Sequence, residues 1–199
     1  MLITVLRSLR DDFAVEILSG LGQGSRPEIY AVSETLVMFG VVAINGMAFL
    51  IRDNRRAFLT ALATIAAGCV TILVTTVAFL HGWIDGFPFM VAIGVGMYVP
   101  YVAYHTTLFA RMIAVFRDGA NLGYLVYLAD AFGYLGYVAV LLLRNVVSLD
   151  ETFLALLTSC CVVVSVVSLI AVGWTSWHYH QRMERTIDTT DRIAAQLGD

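Results

Sequence analysis

Five apolar stretches, each about as long as a lipid hydrocarbon core is thick, constrain this chain more than any other feature. They run over Tyr30–Ile51, Ala57–His81, Phe87–Met112, Leu122–Leu143 and Phe153–Tyr179. A helix needs about 20 predominantly apolar residues to cross the ~30 Å core of a bilayer. Backbone polar groups in lipid must be paired within the segment, and a helix does this by itself. The ten-residue alternation of a membrane β-barrel is absent. The expected fold is therefore all-α, a polytopic transmembrane helical bundle of about five spans. Composition agrees: of 199 residues, 59% are hydrophobic and 14% charged, against ~25% charged in an ordinary soluble domain. That is more apolar side chain than the interior of so short a soluble chain can hide.

The connections, residues 52–56, 82–86, 117–121 and 144–151, are short and hold the breakers and charges. Every basic residue is an arginine, and their distribution gives the orientation. Arg52, Arg55, Arg56, Arg111, Arg117, Arg182, Arg185 and Arg192 fall on one side, and Arg7, Arg10, Arg26 and Arg144 on the other. By the positive-inside rule the first side is cytoplasmic. The expected location is the inner (plasma) membrane of a cell, multi-pass, with the C-terminus inside and the N-terminus outside. The net charge of −3 removes the electrostatic case for nucleic acid. Cys69, Cys160 and Cys161 lie within apolar runs, where cysteine behaves as a small hydrophobe. They show neither metal spacing nor a disulfide framework, so no metal or cofactor is expected.

Three regions follow. Residues 1–29 read as an external amphipathic segment, 30–180 as the five-helix transmembrane domain and 181–199 as a cytoplasmic tail, a short helix or a disordered end. In the first region Arg7, Arg10, Asp11 and Asp12 interrupt any signal-peptide core. Leu2, Leu6, Leu9, Phe13 and Ile17 recur at helical spacing, which suits a helix lying on the membrane surface.

Polar side chains inside the spans are the candidate functional groups, because charge in lipid is costly and marks a site by default. Asp130 sits near the middle of the fourth span, and Tyr127, Tyr134 and Tyr137 share its helix face. Three phenols can solvate a carboxylate internally, which fits a proton-accepting group; the competing reading is a structural hydrogen-bond post. Gly119, Gly123, Gly133 and Gly136 suit the close helix contact that either reading needs. The third span carries a matching stripe of Gly94, Tyr98, Tyr101 and His105, and Pro100 is expected to kink it. Glu34 and Tyr30 stand near the outer end of the first span, Asn45 deeper, where an interhelical hydrogen bond is expected. His178 and His180 with Trp174 and Trp177 read as an interface belt. Arg111 reads as a topology anchor at the cytoplasmic end.

Residues Met47 to Arg56, with Gly46, Asp53, Arg55 and Arg56 in register and Asn54 where a glycine is usual, resemble the short cytoplasmic loop of the major facilitator superfamily. A closer resemblance rests on three segments: Arg10 to Ile17; Val99-Pro100-Tyr101 with Leu108 to Ala114; and Tyr127 to Gly136. These are similar to an uncharacterised bacterial membrane-protein family grouped with the major facilitators, whose full-length members are about twice this size. The resemblance implies an incomplete C-terminal half of a major facilitator fold, the last five helices with the external loop before them. It also implies transport of an unknown small solute at a site between two halves. The partner would be the missing N-terminal half or a second copy of this chain, beside the lipid bilayer. A non-transporting sensory or assembly subunit is the alternative. A membrane-embedded enzyme is the least favoured, since no convergent acid, base and nucleophile set is visible. The chain is therefore read as transporter-like and non-enzymatic.

Overall fold

The computed structural model describes residues 2–22, 27–116, 121–147 and 153–197. Arg26, Arg117 and Gly119 lie outside the described residues, as do the side chains of Arg144, His180, Arg182, Arg185 and Arg192. The elements are α1 (Leu2–Asp12), α2 (Ala14–Gly20), α3 (Pro27–Phe49), α4 (Asn54–Leu80) and α5 (Gly86–Ala103). A π-helix (Tyr104–Leu108) then leads into α6 (Phe109–Phe116), followed by α7 (Leu122–Val147) and α8 (Phe153–Leu197). No strand occurs among the described residues. Among the described residues, five helices are long and apolar enough to cross a membrane: Glu28–Ala48, Asn54–Leu80, Gly86–Val115, Leu122–Leu143 and Phe153–Tyr179. The expected spans are thus present, with ends shifted by a few residues.

Helix α4 starts where Asp53 accepts hydrogen bonds from the backbone N–H of Arg55 (2.8 Å) and Arg56 (3.4 Å). Such a cap satisfies donors that have no intrahelical partner. In the loop motif Asp53, Arg55 and Arg56, the aspartate therefore begins the second span. Arg111 Nη1 donates to Asn54 Oδ1 at 2.5 Å, tying the first turn of α6 to the same turn.

Helices α4 and α5 cross closely through two glycines. A Cβ on Gly68 would lie 2.5 Å from Pro100 Cγ and 2.8 Å from the Gly96 carbonyl oxygen, and one on Gly96 would lie 2.8 Å from Ile72 Cγ1. Pro100 has no N–H to give Gly96, and its ring crowds that carbonyl. The helix absorbs the misfit by widening one turn later, into the π-helix that holds His105. Helix α3 leans on α5, where Asn45 Nδ2 donates to the Val99 carbonyl at 3.4 Å, the expected interhelical bond.

The N-terminal segment differs from the surface helix read from the sequence. Leu6, Leu9, Arg10 and Ile17 are buried, and α1 packs against α5, α7 and α8. The apolar spacing is the expected one, but it faces protein. Gly136 leaves room for Val5 on one side of α1, and Phe13 stacks on Phe153 at 3.9 Å between centroids. The tail is helical, one of the two forms read from the sequence. Helix α8 continues without interruption past Tyr179 to Leu197.

Candidate functional site

The stripe along α5 meets the charged face of α1 residue by residue. Gly94, nearest the start of α5, is a notch for Arg10: a Cβ there would come within 3.0 Å of Arg10 Nη2. Arg10 is fully buried and donates from Nη2 to Glu34 Oε1 (2.5 Å) and the Met90 carbonyl (3.3 Å). Its Nη1 lies 3.8 Å from Asp11 Oδ1. Neither Nη1 nor Nε finds a hydrogen-bond acceptor among the described residues. One turn along α5, the Tyr98 hydroxyl donates to Asp11, 2.7 Å from one carboxylate oxygen and 2.9 Å from the other. Next, the Tyr101 ring lies under Arg7, with Cζ 4.5 Å from the centroid. Arg7 Nη2 also donates to the Tyr134 hydroxyl on α7 at 3.2 Å. Farther toward the α2 end, Tyr137 donates to Asp12 Oδ2 at 2.7 Å.

The last member of the stripe, His105, meets Asp130. Nε2 and Oδ1 are 2.9 Å apart across α7, and both side chains are mostly but not wholly covered, 16% and 26% exposed. Nδ1 lies 2.8 Å from the Tyr101 carbonyl, which can only accept, so that nitrogen carries a hydrogen. Nε2 then faces a carboxylate oxygen. An imidazolium beside a carboxylate satisfies this contact, and so does a neutral ring beside a carboxylic acid. Both arrangements hold one proton between Nε2 and Oδ1 and are electrically neutral as a pair. Without that proton, two lone pairs oppose each other. The Tyr101 ring covers the imidazole, with centroids 4.1 Å apart, and Tyr104 meets it edge-on at 4.9 Å.

The structure thus brings together eight residues singled out in the sequence as members of a pathway or of its supporting stripes. Glu34, Tyr98, Tyr101, His105, Asp130, Tyr134 and Tyr137 each contact another polar group, and Gly94 makes room for one. The expected phenol cage around Asp130 does not form. Tyr134 and Tyr137 turn to α1, and Tyr127 stands 79% exposed. Arg7, Arg10, Asp11 and Asp12 were missed as site residues, because a run of charge reads as a solvated surface. The signal present in the sequence was complementarity: two cations and two anions on one short helix, and two polar stripes in the spans without mates.

No group of three or more metal-ligating side chains occurs among the described residues. Among known proteins, no curated protein and no solved structure matches the chain, and no match ties it to the major facilitators. One family model does match, over residues 1–182, and its description is "Family of unknown function (DUF5690)". A match over that much of the chain makes this protein a member of the family of unknown function DUF5690.

Proposed function

We propose that this protein is a proton-coupled, transporter-like membrane protein that moves a small solute, built on the plan of one half of a major facilitator. The observation that carries the reading is the His105–Asp130 contact of 2.9 Å. A pair that accommodates one mobile proton, set on a π-helix beside a proline, joins protonation to a backbone element with more than one available register. Charged groups on α1 and α3, with the phenols of α5, extend the same polar line along the bundle, as expected for groups beside a path rather than beside lipid. The sequence resemblance to major facilitators supports the same plan. The arginine distribution supports a plasma-membrane location with the C-terminus inside the cell. No enzymatic step is assigned, and lipid and the solute are the small-molecule partners. A second bundle, either an N-terminal half or another copy of this chain, would complete the solute site.

A non-transporting subunit is the second reading, and the exposed phenols of Tyr124 (64%) and Tyr127 (79%) on α7 favour it, since they offer a polar face to another helix. Proteoliposomes with an entrapped pH dye separate the two. Amino acids, sugars, organic acids and organic cations are added in turn outside the vesicles. Proton movement evoked by one of these classes, abolished in Asp130→Asn and His105→Gln, is the expected result. If the wild type moves no protons with any class, or Asp130→Asn moves them as well as the wild type, the proposal fails.

A further inference from the structure

We infer that Leu2–Gly20 crosses the membrane as a sixth, broken segment, which puts the Leu2 end on the same side as the C-terminal end of α8. Length permits it: α1 and α2 together extend ~28 Å at 1.5 Å per residue, close to the ~30 Å of a hydrocarbon core. The backbone permits it as well. Although the helix is broken at Phe13, the Phe13 N–H donates to Leu9 O (3.2 Å) and the Ile17 N–H to Phe13 O (3.0 Å). Two backbone bonds therefore bridge the break, in keeping with the internal pairing that membrane depth favours.

Contacts at the two ends fix the direction. At the α2 end, Gly20 packs on Leu154, near the start of α8, and Leu21 packs on Gly86, at the start of α5. At the other end, Leu2, Ile3 and Thr4 line a cavity with Leu108 and Thr175. Those two residues lie toward the far ends of the third and fifth spans. The segment therefore runs opposite to α5 and α8 and parallel to α7. Alternation along the chain is then regular, with six crossings and both chain ends on the arginine-rich side. Residues 2–20 would then not be part of the external segment read from the sequence.

Five charges hide this crossing from a hydropathy scan: four are met within the bundle, and Glu16 stands exposed one turn from the Gly20 end. Arg10 has Glu34, Asp11 has Tyr98, Arg7 has Tyr134 and Asp12 has Tyr137. Charge at membrane depth persists when it faces the bundle and is paired. A helix lying on the headgroups would instead keep its arginines in water, yet Arg10 is 0% exposed.

The test is sidedness in sealed vesicles of known orientation, using the full chain with Cys69, Cys160 and Cys161 replaced by alanine. Single cysteines at Leu2, at Arg56 and at Trp83 are treated with a membrane-impermeant maleimide. Trp83 and Arg56 are exposed and mark the two sides. Leu2→Cys is expected to react at least tenfold faster from the Arg56 side than from the Trp83 side. A protease-cleavable tag ahead of Met1 gives a second reading, free of any substitution, against the same tag after Asp199. Cleavage of both tags from one side supports the crossing; cleavage from opposite sides, or Leu2→Cys reacting with Trp83→Cys, overturns it. None of these readings depends on solute transport.

Discussion

Replacing Gly68 by alanine tests the crossing that positions the His105–Asp130 pair. The new Cβ would sit 2.5 Å from Pro100 Cγ, 2.7 Å from Cδ and 2.8 Å from the Gly96 carbonyl oxygen. Ordinary carbon contacts lie at ~3.5–4.0 Å, so α4 and α5 must part by roughly 1 Å at this point. A proline ring and a backbone carbonyl cannot swing aside as a side chain tip would. Forced overpacking costs ~1–3 kcal/mol, and a stiff neighbour belongs at the upper end. Alanine recovers up to ~1 kcal/mol through its better helix propensity, leaving a net loss of about 2 kcal/mol. Gly173 is the control, because nothing lies within 4 Å of the Cβ it would gain. There only the propensity gain remains, so the two variants should differ by about 3 kcal/mol. The assay is reversible unfolding in mixed dodecylmaltoside and SDS micelles, followed by far-UV circular dichroism. Equal midpoints for Gly68→Ala and Gly173→Ala would refute the close crossing, and with it the account of how Pro100 is held.

Arg10→Ala should destabilise by ~3 kcal/mol or more, because it leaves the mostly covered Glu34 carboxylate without its cation; in the same micelle assay, the further change Glu34→Ala should restore part of the loss. Asp53→Ala should cost ~1 kcal/mol through the lost cap, and Asp53→Ser much less. Those two midpoints would coincide if Asp53 served only as a loop charge.

Hydropathy made the five spans legible because it is a local property, summed over ~20 neighbouring residues. The α5 stripe was legible for the same reason, since helical spacing alone aligns Gly94, Tyr98, Tyr101 and His105. The His105–Asp130 contact was not, because it joins residues on different helices and depends on how those helices rotate and cross. Each partner was visible as a costly group, and only packing could pair them. Helix α1 was misplaced for a different reason. Arg7, Arg10, Asp11 and Asp12 lower the apolar average of a segment whose opposite face is core, and an average cannot tell paired charge from solvated charge. Tyr127 shows the converse error: it shares a helix face with Asp130, yet it stands 79% exposed.

The wide turn at Tyr104–Leu108 has one more consequence. A helix behaves as a screw thread, and one surplus residue in a turn is a phase slip of ~100° for everything beyond it. Helix α6 is therefore rotated relative to an unbroken continuation of α5, and that rotation is what turns Arg111 onto Asn54. His105 sits inside the slip and Arg111 beyond it. If the surplus residue moved along the thread, the imidazole would rotate away from Asp130 while the parts on either side kept their phase. Deleting one residue from the turn removes the slip altogether and should separate Arg111 from Asn54, a change that cross-linking between cysteines at those two positions would register.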